Sequence, residues 1–211
     1  MSVVGLARAA AAAAASAVAV VALAAWARRW GQGVLRPLLG WVLVAALASA
    51  AVAARHGDLR AVVLVWMVVA LTLMSAVDLD SHRLPNRMLY PLAGVGAGLV
   101  VFVALWRHQP IEMVGAGAGL ALGFLPFYAI WVVAPAGAIG FGDVRLMGMV
   151  GMHLGVVSPL LVLVAGFIGA LVGLVAGLVG MAVAGRSHRD PFPFGPWLAV
   201  GAAVGAALGV P

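Results

Sequence analysis

The sequence predicts an all-α fold, a polytopic membrane bundle of about eight transmembrane helices, with seven as the competing count. Three observations carry that prediction. The 211 residues are 65% hydrophobic and only 9% charged, with a mean hydropathy of +1.18, which is beyond what a soluble domain carries without aggregating. Apolar stretches long enough to cross a hydrocarbon core of ~30 Å recur along the whole chain. No period-two pattern of barrel strands interrupts them, and isolated strands cannot satisfy their backbone in lipid. Residues 1–211 are therefore read as one integral membrane domain with no segment left for a sizeable soluble one.

The first span, at 9–26, follows Arg8 with an alanine-rich run; it resembles a signal peptide but lacks a convincing polar region before a cut site. A short linker, Ala27–Pro37, leads to the second span at 37–54. The third, at 61–77, is an unbroken apolar run that stops at Asp78. The fourth and fifth, at 88–106 and 112–134, carry glycines at 94, 96 and 98 and at 115, 117, 119 and 123. Small residues so spaced let helix backbones approach closely in a membrane. The sixth, at 144–156, restarts after Gly140 and Gly142 and is short for a full crossing, so a tilted or recessed helix is expected; 158–184 and 194–210 complete the count.

All twelve basic residues are arginines and there is no cysteine. The arginines are scattered over loops instead of forming a stripe that could follow a phosphate backbone, so nucleic acid is not an expected partner and lipid is. Without cysteine, disulfides, thiol catalysis and thiolate metal sites are excluded. With eight helices and the amino terminus outside, Arg28, Arg29, Arg36, Arg83, Arg87, Arg145, Arg186 and Arg189 fall in the cytoplasm, against Arg8, Arg55, Arg60 and Arg107 outside. The positive-inside rule favours that orientation.

Function is legible in two segments that hold three of the six acidic residues: Asp78-Leu79-Asp80-Ser81-His82-Arg83-Leu84-Pro85-Asn86 and Gly140-Phe141-Gly142-Asp143-Val144-Arg145-Leu146. A carboxylate at a bilayer edge is costly and points to function. Two carboxylates sharing one proton can hydrolyse a peptide bond without a metal, one taking a proton from water while the other donates to the carbonyl oxygen. Asp78 and Asp143 lie 65 residues apart, so only the fold can unite them. Taken singly, each has a plainer reading: Asp143 as a helix N-cap, and Asp78 and Asp80 as solvated loop charges beside Arg83 and Arg87. If residues 78–80 stay helical, Asp80 points about 200° away from Asp78. His82, His153 and His188 lack the spacing of a metal site.

These segments resemble the type IV prepilin peptidase family, membrane aspartic proteases with a Gly-x-Gly-Asp signature. Asp78 precedes Leu84-Pro85-Asn86 as in that family's first pattern, and Gly140, Gly142, Asp143 and Leu146 match its second, with Arg145 where lysine is usual. Pro193-Phe194-Gly195-Pro196 is a third, weaker match. The resemblance implies Asp78 and Asp143 as the catalytic dyad, with Asp80, Pro85, Asn86, Gly140, Gly142 and Arg145 in supporting or substrate-orienting roles. It implies no metal or organic cofactor, pilin-like precursors as substrates, the bacterial inner (plasma) membrane as location and a cytoplasmic active site; a homo-oligomer is compatible with it. Longer members insert a cysteine-bearing methyltransferase domain between the first two helices; the eleven residues of Ala27–Pro37 predict a peptidase without it. Two other readings compete. Presenilin-like proteases share the second motif, but their Tyr-Asp and Pro-Ala-Leu motifs do not occur here. A transporter component could use paired aspartates to bind cations or relay protons.

Overall fold

The computed structural model describes residues 2–29, 38–81, 84–135, 139–184 and 192–209. They form eight helices: α1 (Val3–Ala27), α2 (Leu38–Arg55), α3 (Arg60–Ser81), α4 (Asn86–Trp106), α5 (Ile111–Val133), α6 (Phe141–Gly155), α7 (Leu161–Ala184) and α8 (Gly195–Leu208). The chain is a polytopic helical membrane bundle, as the sequence predicts. Six of the helices, α1 to α5 and α7, are long and apolar enough to cross a membrane. Helices α6 and α8, with 15 and 14 residues, extend only about 22 and 21 Å at 1.5 Å per residue. Both fall short of a ~30 Å core. The shortness read in the sixth helix from the sequence thus has a counterpart in the eighth.

Helix boundaries follow local chemistry. The Ser2 hydroxyl accepts from the Gly5 N–H at 3.2 Å and caps α1, and Asp58 Oδ1 accepts from the Arg60 N–H at 3.0 Å at the start of α3. The sequence places the end of α3 at residue 77, but the helix continues to Ser81, whose hydroxyl donates to the Val77 carbonyl at 2.9 Å. Nothing in Asp78–Ser81 breaks a helix; the break comes at Leu84-Pro85, where proline disfavours helix in the residue before it and then opens α4 as its N-cap.

Helix α3 is the axis of the bundle. Every residue from Met67 to Asp78 is buried, the pattern of a helix apolar on all sides, and α1, α2, α4, α6 and α8 pack around it. The glycines of α5 meet those of α6 almost backbone to backbone: a Cβ on Gly119 would strike the Gly151 carbonyl, and one on Gly123 would strike that of Met147. Helices α7 and α8 repeat this contact at Gly201 and the Ala165 carbonyl. Removing the side chains buries backbone against backbone, the packing that replaces a hydrophobic drive in lipid.

At the end of the bundle where α3 begins, two arginines share one buried carboxylate. Arg60 and Arg107 both donate to Glu112 Oε1, at 2.8 and 3.1 Å, and Arg107 also pairs with Asp58 at 2.8 Å. Asp78 and Asp143 lie at the opposite end.

Candidate active site

Asp78 sits one turn inside the carboxyl end of α3 and is only 5% exposed, so it is not a solvated loop charge. Because α3 stays helical through Ser81, Asp80 turns to the other side and is exposed. Asp143 lies in the first turn of α6. It is not the N-cap: Gly140 holds that position, and Asp143 is the third residue inside, reaching back to accept a backbone hydrogen bond from Gly140. That is half of a capping box, an acidic side chain at N3 turned onto the N-cap N–H.

The fold unites the two segments through contacts between motif residues. Leu84 packs on Gly142, where a Cβ would come within 3.0 Å of the leucine Cβ. The Arg145 guanidinium donates to Asn86 Oδ1 and lies over the Phe141 ring at 4.2 Å and near the Tyr90 ring at 5.9 Å. Phe141 in turn packs on Trp131 of α5 at 4.9 Å between ring centroids. Pro85 serves as the N-cap of α4 and so places Asn86 in its first turn.

The sequence reading gave no site role to the third motif. The structure places it against Asp78: the Gly195 N–H, at the amino terminus of α8, donates to Asp78 Oδ2 at 3.0 Å. A Cβ on Gly195 would lie 2.8 Å from that oxygen, so only glycine lets the backbone approach. The signal was the Pro-Phe-Gly-Pro quartet itself, in which glycine precedes a helix-starting proline.

Asp143, on a helix that is not one of the six spans, has its carboxyl pushed up to about 7. Burial is the main cause and the charge of Asp78 adds to it, while the Gly140 hydrogen bond works against both. The arrangement is therefore two carboxylates close enough to feel each other, one turned to a helix amino terminus and the other poised near neutrality. Such a pair can hold one proton and exchange it with water and a carbonyl. The histidines do not join it. His153 is buried in α6 against Gly96, and its Nδ1–H donates to the Met149 carbonyl at 2.7 Å; His82 and His188 lie outside the described residues.

Comparison with known proteins identifies a family. Residues 62–174, just over half of the chain, match the model of the type IV leader peptidase family. A prepilin leader peptidase/N-methyltransferase of Aeromonas salmonicida is 30% identical over 149 residues, covering 68% of this chain and 47% of that protein. Proteins of the same description from Pseudomonas putida and Aeromonas hydrophila are 30% and 31% identical over 158 and 170 residues, covering 74% and 75% of this chain and 53% of each relative. The chain thus spans about half the length of the curated relatives it matches. No solved structure matches it. With the motif residues of both aspartate segments meeting in one place and the family model covering most of the helices that carry them, the chain belongs to the type IV leader peptidase family.

Proposed function

We propose that the chain is a membrane aspartic endopeptidase that removes basic leader peptides from type IV pilin-like precursors at the cytoplasmic face of the bacterial inner membrane. The observation that carries this reading is the meeting of the two aspartate segments, Leu84 on Gly142 and Asn86 on Arg145, which brings Asp143 within the influence of the Asp78 charge. Asp78, held by the Gly195 N–H, takes a proton from water. The hydroxide attacks the scissile carbonyl, and Asp143 gives its proton to the carbonyl oxygen. The tetrahedral intermediate then collapses: Asp143 takes the hydroxyl proton back as the carbonyl re-forms, and the proton on Asp78 passes to the leaving amine. Both carboxyls return to their starting states, and no proton is gained or lost.

Asn86 and Arg145 tie the start of α4, which follows the Asp78 helix in the chain, to α6, which carries Asp143, while Gly140 and Gly142 shape the turn that brings Asp143 in. Asp80, on the far side of α3, orients substrate or supports the helix end. All eight helices form one peptidase domain. The precursor's apolar helix lies in lipid beside the enzyme, with its leader on the arginine-rich side. The N-methyltransferase activity in the relatives' names is not assigned to this chain, since the ten residues between α1 and α2 are too few to fold a donor site.

The test is leader processing by membranes carrying Asp78→Asn or Asp143→Asn. Both variants should insert normally and fail to convert precursor to mature form, because an amide cannot exchange the needed proton; Asp80→Asn should retain most activity. Near wild-type conversion by Asp143→Asn would end the proposal. Ion flux lost with either aspartate, with processing intact, would favour a transporter instead.

A further inference from the structure

At the end of the bundle away from the dyad, α1, the turn between α2 and α3, and the start of α3 enclose a groove of about 530 Å³. This is within the ~300–1,000 Å³ of small-molecule sites. Its walls are apolar, formed by alanines of α1 such as Ala11 and Ala15 and by Val62 and Val65 of α3. Val65 is 13 residues from Asp78, about 20 Å along the helix, so the groove is separate from the catalytic site.

Two polar side chains line this groove, one with no polar partner among the described residues and one with a single ring nitrogen paired. Arg8 lies on its rim, and no described residue gives it a hydrogen bond or ion pair. Its guanidinium is seated over Gly57, where a Cβ would come within 2.8 Å of Nη1. His56, 1% exposed, lines the groove; its Nε2 meets the Ala206 carbonyl at 2.8 Å, and its Nδ1 has no partner among the described residues. With Nε2–H donating to that carbonyl, Nδ1 is left as an acceptor. Asp58 also borders the groove, but its carboxylate is engaged by Arg107 at 2.8 Å. The groove thus offers an exposed cation beside an acyl-sized apolar wall, with the buried ring of His56 behind it.

We infer that this groove binds an anionic phospholipid, its phosphate on Arg8 and an acyl chain along α1 and α3. The lipid would brace α1 against the helix that carries Asp78, from the leaflet opposite the dyad. Charge complementarity selects the ligand: a zwitterionic lipid brings its own cation to Arg8, and free phosphate leaves the apolar wall uncovered.

The experiment uses the purified full chain in neutral detergent and follows thermal unfolding with added phosphatidylglycerol, phosphatidylcholine or inorganic phosphate. Phosphatidylglycerol should raise the midpoint by roughly 5 °C when well above its dissociation constant; the other two should do little. Arg8→Gln removes the cation from an exposed position, and Ala11→Phe fills the groove. Each should abolish most of the rise while leaving the lipid-free midpoint near that of the wild type. Should one variant be destabilised, the other still decides. Equal protection by phosphatidylcholine or by phosphate, or an undiminished rise in Arg8→Gln, would overturn the assignment.

Discussion

Replacing Gly195 by alanine probes the site more sharply than removing a carboxylate, because it leaves every titrating group in place. The added Cβ would sit 2.8 Å from Asp78 Oδ2, while 3.4 Å is where ordinary contact begins. The backbone or the carboxylate must therefore retreat by about 0.6 Å, stretching the 3.0 Å bond from the Gly195 N–H to about 3.6 Å, at which no hydrogen bond remains. Helix α8 has little room to accommodate this, since Gly201 already lies against the Ala165 carbonyl. A hydrogen bond to a charged group is worth about 1.5–3 kcal/mol, so processing should slow roughly ten- to hundredfold. Conversion of precursor to mature protein in membranes, followed over time at equal enzyme levels, is the assay. Gly94→Ala is the control: nothing lies within 4 Å of a Cβ there, and it should process at the wild-type rate. A Gly195→Ala enzyme as fast as that control would refute the role given to the α8 amino terminus.

Three further outcomes are expected. The Asp143 carboxyl, pushed up to about 7, is protonated below that pH and ionised above it; as the proton donor it should lose activity as pH rises through about 7, near tenfold per unit, and a flat alkaline profile would contradict its role. Cysteines placed singly by Ser81→Cys and Ala134→Cys should be shielded from an impermeant thiol reagent in intact cells while Gln109→Cys reacts, because the proposed orientation, argued from the arginine bias, has both aspartate segments inside; labelling of Ser81→Cys from outside would reverse the orientation. Mass spectrometry of the cleaved product, after incubation with S-adenosylmethionine, should show an unmodified amino terminus; a methyl mass that depends on this enzyme would overturn the reading of the short linker.

The sequence alone determined the fold class and nearly every helix, since in a bilayer an apolar run must be helical to satisfy its own backbone, and arginines and prolines mark where each run stops. It also singled out Asp78 and Asp143, because carboxylates are rare and costly at a membrane edge. It misjudged the end of α3, where Asp78 falls inside the helix, because helix propensity continues to Ser81 and the break waits for Pro85. Tertiary structure decided the rest. That Gly142 seats Leu84, that Arg145 holds Asn86 and that Gly195 reaches Asp78 across 117 residues are contacts between distant segments, invisible to local periodicity. The proton affinity of Asp143 likewise depends on burial and on a neighbour 65 residues away, and a chain acquires both only when its helices pack.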